Sequence, residues 1–488
     1  MAELSSFLGV ITQLHDPDRT ALQCGDAACT FGELADAARA WCHILSAVVS
    51  EGDVVIVDYE ESAIDHTAML LGVMAAGGVH MTTRTPRRAW NRLADSGRRW
   101  HAVTRSGIDT ALTGLCSVVD RTAQVPLAVA TPGAPPPPAV STTSRGRILE
   151  TSGSSGEPKW VYWAEDDLLA DRFDWCEQVG LTSADIAVNI HPLDFAHGID
   201  VHVLATLCVG AQTVHVGAGA TMSTIVRTIR DVSATYMSAL PAHYDSLART
   251  CEASANIGEH LTIALTGGAL LTPATAELVA DRCGVRLRRL YGATEAGIMC
   301  ADLRPELQVT PELSPLTGVQ MRIRSIPGID LDVHRVGEPV FHRAYQARGY
   351  WGDPERTAQA FSDGWYRSGD AVRLADDGTV SVLGRSDDVW VNERGTLCSS
   401  GALVDEISRI DDVEEVVVFA PGVDPGGRTV VLCRLSWSGA ALQDIRDKVE
   451  ATLTSCGLVG RIYLLSDWPK TSVGKPNRRC LLAWARTE

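Results

Sequence analysis

Residues 148–161 read ILETSGSSGEPKWV and crowd hydroxyls, small residues and one ammonium into a single stretch. Small side chains put no Cβ branch between an anion and the backbone N–H groups, so Thr151, Ser152, Gly153, Ser154, Ser155, Gly156 and Lys159 suit a phosphate cradle. The Walker A form of such a cradle is excluded. Counted from Gly153, its second glycine would fall on Pro158, and Trp160-Val161-Tyr162-Trp163 after the lysine favours a strand where that motif needs a helix. The spacing therefore predicts a loop joining two strands. A plain Ser/Gly surface turn is the alternative reading of SGSSG taken alone.

Further segments carry groups that nucleotide chemistry needs. Leu290-Tyr291-Gly292-Ala293-Thr294-Glu295 ends a strand with an aromatic ring, a glycine turn, a hydroxyl and a carboxylate, which suits an adenine platform beside a Mg²⁺ ligand. Trp365-Tyr366-Arg367-Ser368-Gly369-Asp370 sets a carboxylate after a tight turn, where it can accept hydrogen bonds from ribose hydroxyls. Arg385, after Gly384, offers a fork donor to phosphate. Pro469-Lys470-Thr471-Ser472-Val473-Gly474-Lys475 is followed by Arg478 and Arg479. Singly, each also reads as a capped turn, a surface ion pair or a basic tail. Gly337-Glu338-Pro339 and Gly349-Tyr350-Trp351 read as structural.

The elements that would position these groups follow from periodicity. Helical spacing over 29–46, a buried strand over 52–57, and continued alternation to about residue 105 predict an α/β layer with a parallel or mixed sheet. A proline-rich linker, 132–138, precedes the Gly-rich loop. A second α/β run has a helix over 165–179, an apolar segment over 200–207, a strand over 212–216 and LTIALTGGALL at 261–271. Short strands and turns from about 318 predict a β-rich subdomain. Past 384–388 the chain restarts, with helices over 401–410 and 440–455 and strands over 413–419 and 429–436.

At 488 residues and 45% apolar composition, the chain has core enough for two or three globular domains. The apolar run 68–81 is shorter than the ~20 residues of a bilayer span and reads as a buried helix leading into a strand. No basic leader precedes an apolar stretch at the N-terminus, which predicts a cytoplasmic protein. The 13 cysteines include no CxxC pair, so reduced thiols are expected and not disulfides or zinc. A net charge of −17 disfavours nucleic acid and anionic membranes as partners, and says nothing against ATP, which local groups bind.

TSGSSGEPK, YGATE, WYRSGD, GRSDD and PKTSVGK stand in an order and spacing that resemble the adenylate-forming superfamily, which contains acyl-CoA synthetases, adenylation domains of nonribosomal peptide synthetases and firefly luciferases. The likeness covers nearly the whole chain, from Thr30-Phe31-Gly32-Glu33-Leu34 onward. It implies a large N-terminal domain, 1–386, of layered α/β subdomains plus a β-rich subdomain. A small mobile α+β domain, 387–488, would hinge at Asp387. It also implies the reaction: ATP activates a carboxylic acid as an acyl-adenylate, pyrophosphate leaves, and the acyl group passes to a thiol of CoA or of a carrier protein.

By motif match, the 151–159 loop would hold the β- and γ-phosphates and Tyr291 would stack on adenine, with Gly268 and Gly292 in the nucleotide-binding set. Thr294 would touch the α-phosphate, Glu295 would hold Mg²⁺, and Asp370 would bind the ribose. Arg385 would reach ribose or phosphate, and Lys475 would bridge the carboxylate and the α-phosphate from a mobile lid. The acyl pocket would be lined by Phe195, Ala196, His197, Asp200, Leu290, Ile298 and Met299, an apolar wall fitting a small or medium acid.

Two departures bear on substrate and acceptor. Ala196 stands where amino-acid-activating relatives carry an Asp for the α-ammonium, which argues against an ordinary α-amino acid. Val391 stands where Lys is common after the hinge, and the following glycine comes late, so the thiol side is altered. An amine or another nucleophile stays open as acceptor, as does a silent nucleotide-binding homologue. Asp200 has two readings: cap of the following helix, or partner for a polar group on the substrate.

Overall fold

The computed structural model describes residues 6–59, 62–95, 99–104, 116–120, 144–151, 158–217, 219–251, 257–303, 312–424, 426–436, 442–470 and 476–487. Among them, strands Gly146–Thr151, Val79–Thr83, Val54–Asp58, Trp100–Thr104 and Cys116–Asp120 run parallel, in that spatial order. Lys159–Ala164 closes one side as an antiparallel hairpin, with Gly349–Tyr350 beyond it. The valines of Val54–Asp58 alternate between two cores, Val55 and Val57 on one face and Val54 and Ile56 on the other. Both faces are therefore covered, which is why this strand reads as a continuous apolar run.

A second sheet runs Ser314–Pro315, Gly297–Ala301, Leu287–Ala293, Ile263–Thr266, Tyr236–Ala239, Ile186–Asn189, Gln212–His215, Thr20–Cys24 and Ala27–Thr30. One core is shared by the two sheets and the helices Phe31–Leu45, Ala63–Ala75 and Glu165–Val179. All of Ala63–Ala75 except Asp65 is buried, as an all-round apolar helix requires. It meets Phe31–Leu45 at Gly72, where a Cβ would lie 2.4 Å from that of Trp41. Helices Met222–Asp231, Pro241–Thr250 and Pro273–Cys283 cover the far face of the second sheet.

The expected β-rich subdomain is a third sheet: Phe361–Ser362, Trp365–Arg367, Val336–His342, Asp370–Leu374 and Val380–Arg385, with Gln320–Arg324 on Val336–His342. After it come the short hairpin Val389–Val391 with Leu397–Ser399 and a sheet of Val413–Phe419, Thr429–Leu435 and Gly460–Leu465. Alternation again splits two cores there. Val416 and Val418 face Leu403, Ile445 and Val449, whereas Val417 and Phe419 face Leu481 and Ala485 of the helix Arg478–Thr487.

Expected elements recur with small shifts. The helix over 165–179 is Glu165–Val179. That over 29–46 begins at Phe31, because Thr30 is its N-cap in a capping box with Glu33. The segment 200–207 is a π-helical turn, Ile199–Leu204, running into Ala205–Val209. The proline-rich linker 132–138 lies outside the described residues. Cys29, Cys42, Cys176, Cys208, Cys283, Cys300, Cys398, Cys433, Cys456 and Cys480 form no disulfide, and no described helix is long and apolar enough to cross a membrane.

Candidate active site

The hairpin of the first sheet pairs Thr151 with Lys159 at the end where the chain passes from one strand to the other. Ser152, Gly153, Ser154, Ser155 and Gly156 lie outside the described residues, as does Lys475, and the hairpin fixes both ends of their loop. Thr151 Oγ1 is buried and has no hydrogen-bond partner among the described residues. Lys159 Nζ donates to the phenol oxygen of Tyr350 at 3.2 Å and lies 4.8 Å from its ring centre. Tyr350 in turn donates to Glu295 Oε1 at 2.8 Å.

A second cluster stands beside the first. Tyr291 donates to Asp370 Oδ2 at 2.6 Å, and Arg385 Nη1 reaches Asp370 Oδ1 at 3.0 Å and Ser368 O at 2.9 Å. Burial raises the Asp370 carboxyl above its usual range and outweighs the lowering by Arg385 and Tyr291. Burial and then the neighbouring Asp370 raise the Tyr291 phenol, which stays a neutral donor. Tyr366 belongs to both clusters: burial raises its phenol, and the charges of Glu295 and Asp370 add to that. Gly369 takes φ +71°, a left-handed backbone that favours glycine at this turn.

Thr294 and Glu295 sit in the tight turn between Leu287–Ala293 and Gly297–Ala301. Gly292 allows these strands to close, as its Cβ would meet Gly297 O at 2.6 Å. Gly268 is exposed with φ +75°, just past Ile263–Thr266. Asp387 is exposed in the 3₁₀ turn Ser386–Asp388, and its neighbour Asp388 is held by Arg478 Nη2 at 2.8 Å to both oxygens.

The expected acyl-pocket residues divide. Phe195 and Ala196 are half-buried at the start of the turn Ala196–Gly198. His197 stacks on His191 at 4.5 Å, and its Nε2 lies 2.5 Å from Ser238 Oγ. Leu290 and Ile298 join the core shared by the two large sheets. Met299 does not accompany them. One residue on in the strand, it faces the opposite way and is buried against Phe341, Tyr366 and Val372. Asp200 also departs from both of its readings. Its carboxylate accepts from Arg147 Nε at 2.9 Å and is also paired with Arg147 Nη2, both side chains being buried, so it neither caps a helix nor waits for a substrate amine.

Tyr350, Ser238, Trp163 and Arg343 touch the expected site residues or their turn, and sequence reading missed them. Their contacts cross 191 residues for Lys159–Tyr350 and 131 for Trp163–Thr294. Only the register of Gly349–Tyr350 against Lys159–Ala164 brings the first pair together.

The two clusters stand on layered α/β sheets. The chain belongs to the AMP-binding enzyme family, whose model matches residues 12–351, as the motif resemblance led us to expect. It is 28% identical, over 69% of its length, to the 2-hydroxy-7-methoxy-5-methyl-1-naphthoate–CoA ligase of Streptomyces carzinostaticus, and covers 61% of that protein. It is 27% identical, over 97% of its length, to the phenyloxazoline synthase MbtB of Mycobacterium sp. (strain MCS), and covers 41% of it. The chain thus spans less than two thirds of the length of either relative. ATP-bound MatB from Rhodopseudomonas palustris has the same fold, at TM-score 0.85 and 20% identity over 99% of both chains.

Proposed function

We propose that this protein uses ATP to activate a carboxylic acid and then passes the acyl group to a thiol, that of CoA or of a carrier protein's phosphopantetheine. A carboxylate oxygen attacks the α-phosphorus, the bond to the β-phosphate oxygen breaks, and pyrophosphate leaves. The thiol sulfur then attacks the acyl carbon, and AMP leaves. Family membership supports this reading, and one observation carries it: the Tyr291–Asp370–Arg385 cluster stands next to the Lys159–Tyr350–Glu295 cluster. The first offers a ring face and a carboxylate to a nucleoside, the second an ammonium and a carboxylate to a metal-bound polyphosphate.

In this reading Glu295 would hold Mg²⁺, which would supply charge neutralisation at the phosphates. Thr151, the Ser/Gly loop and Lys159 bind and orient the phosphates. Thr294 reaches the α-phosphate, and Lys475 brings a point charge from a lid, 387–488, that turns about Asp387. The acyl pocket takes a small or medium acid against Leu290 and Ile298, with His197 and Ser238 as its polar side. Ala196 leaves no carboxylate for an α-ammonium. Pyrophosphate exchange over a panel of carboxylic acids, repeated with CoA, with a phosphopantetheinylated carrier and with neither, tests the proposal. Exchange without thiol-dependent product would point to an amine or other acceptor, for which Val391 beyond the hinge is the motivation. No exchange with any acid would leave a silent homologue.

A further inference from the structure

The turn that presents Thr294 and Glu295 is held from behind by its own carbonyls. Trp163 Nε1 donates to Thr294 O at 2.7 Å, and the N–H of Ala347 to Glu295 O at 3.0 Å. Arg343 Nη1 donates to both Ala296 O, at 2.9 Å, and Ile298 O, at 3.0 Å. A single rigid guanidinium thus pins the turn on either side of Gly297. Gly297 (φ +66°) lies against it so closely that a Cβ would be 2.9 Å from Arg343 Nη1 and 2.9 Å from Asp171 Oδ1.

Arg343 is itself one end of a buried ionic chain. Its Nη2 lies 2.6 Å from Asp171 Oδ1, whose other oxygen accepts from Arg172 Nε at 2.9 Å. Arg172 Nη1 reaches Asp200 O at 3.4 Å, and the Asp200 carboxylate is held by Arg147. None of the five residues is more than 7% exposed. Arg147 stands on Gly146–Thr151, the strand that feeds the Ser/Gly loop, and Asp200 is in the π-helical turn after the acyl-pocket segment. The chain therefore runs from the Glu295 turn, under the acyl pocket, to the phosphate-loop strand. Three guanidiniums against two carboxylates leave one excess positive charge.

Burying five charges is expensive, and a well-packed apolar set of the same volume would often be as stable. A chain that ends on the carbonyls of one turn has a use beyond stability. We propose that Arg343 and Trp163 are positioning residues for the first half-reaction: they fix the backbone of 294–298 so that the Glu295 carboxylate meets Mg·ATP without reorganising. This rests on Glu295 being the metal-holding residue proposed above. An ångström of drift in a positioning group is enough to slow a reaction greatly, and the backbone of this turn is the group that would drift.

The test is Mg·ATP binding by calorimetry without acid, and the Mg²⁺ dependence of pyrophosphate exchange with it. Arg343→Met is expected to weaken binding about tenfold and to raise the half-saturating Mg²⁺ concentration by a similar factor, with partial recovery in Arg343→Lys. In Arg343→Met the Asp171 carboxylate keeps its pairing with Arg172, so no buried carboxylate is left without a counter-charge. Should every Arg343 variant fail to fold, Trp163→Phe carries the test, with an expected threefold to tenfold shift for about one lost hydrogen bond. Folded variants that bind Mg·ATP within twofold of wild type, at whatever melting temperature, would overturn the inference. Glu295→Gln separates the two claims: an unchanged Mg²⁺ requirement there overturns the role of Glu295 itself, whereas a changed one beside normal Arg343 and Trp163 variants overturns this inference alone.

Discussion

Tyr291 and Asp370 are joined by a 2.6 Å hydrogen bond across 79 residues of sequence, and that bond ties the second sheet to the third. Tyr291→Phe leaves Asp370 to Arg385 alone. Since Tyr291 lowers the Asp370 pKa against burial, its loss raises that pKa further. The acid limb of ATP binding should move to higher pH, and stability should fall by about 1.5–3 kcal/mol, as for a hydrogen bond to a charged group. Fluorescence titration of ATP from pH 5 to 8 checks this. An acid limb that moves down or stays put would remove the assigned role.

Lys475→Ala should slow acyl-adenylate formation by about 10²–10³-fold, the usual loss on removing one donor to developing charge. Thiolysis of supplied acyl-adenylate should continue near the wild-type rate, since the lid is proposed to serve each half-reaction with different residues. Single-turnover measurement of both steps decides it. Equal losses in both would show that Lys475 acts on the fold or on thiol entry.

Asp200→Asn should lower stability by about 3–5 kcal/mol, because it leaves Arg147 buried without its counter-charge. Activity should fall by a similar factor for every accepted acid. Were Asp200 a recognition group, a polar acid would lose tenfold more than its deoxygenated or deaminated analogue at an unchanged melting temperature.

A ring of buried histidines sets an acid limit on stability. His202 Nδ1 donates to His197 O at 2.7 Å, and its Nε2 accepts the N–H of Ser238 at 3.1 Å, so both nitrogens of the neutral ring are used. Burial lowers His202 and His215 to about 4, and His191 falls well below its ordinary value for the same reason, with His197 adding to it. Above the unfolded value of about 6.5 the neutral-ring contribution is fully present. As pH falls from there toward 4 the unfolded chain takes up protons that the folded one refuses, and each such ring forfeits on the order of 3 kcal/mol. Urea midpoints should drop steeply between pH 6.5 and 4.5, and His202→Gln should flatten that slope. A midpoint independent of pH over this range would contradict the neutral assignment.

Periodicity found the elements well because it reports local geometry. Glu165–Val179, the hairpin flanking the Ser/Gly loop and the β-rich third sheet all follow from it. It failed where two residues share a motif but not a face. Ile298 and Met299 are neighbours in sequence and stand on opposite sides of one strand. It also failed wherever a charge is answered from far away. Nothing local marks Arg147 as the partner of Asp200, 53 positions on, or Tyr350 as the link between Lys159 and Glu295. The motif residues could be named from types and order, whereas the residues that hold them come from sheet order and helix packing.

The pairing of Thr151 with Lys159 also governs what can vary in this protein. Because both flanking residues are fixed to the sheet, a substitution between them alters phosphate binding in the proposed reading without moving the lysine. A shift in the phase of the strand does move it. Slipping Lys159–Ala164 by one residue would turn Lys159 to the other face and bring Trp160 round in its stead, exchanging a cation for an indole. A single-residue deletion between Lys159 and Trp163 should therefore not be tolerated in directed evolution, even with residues 151–158 left intact.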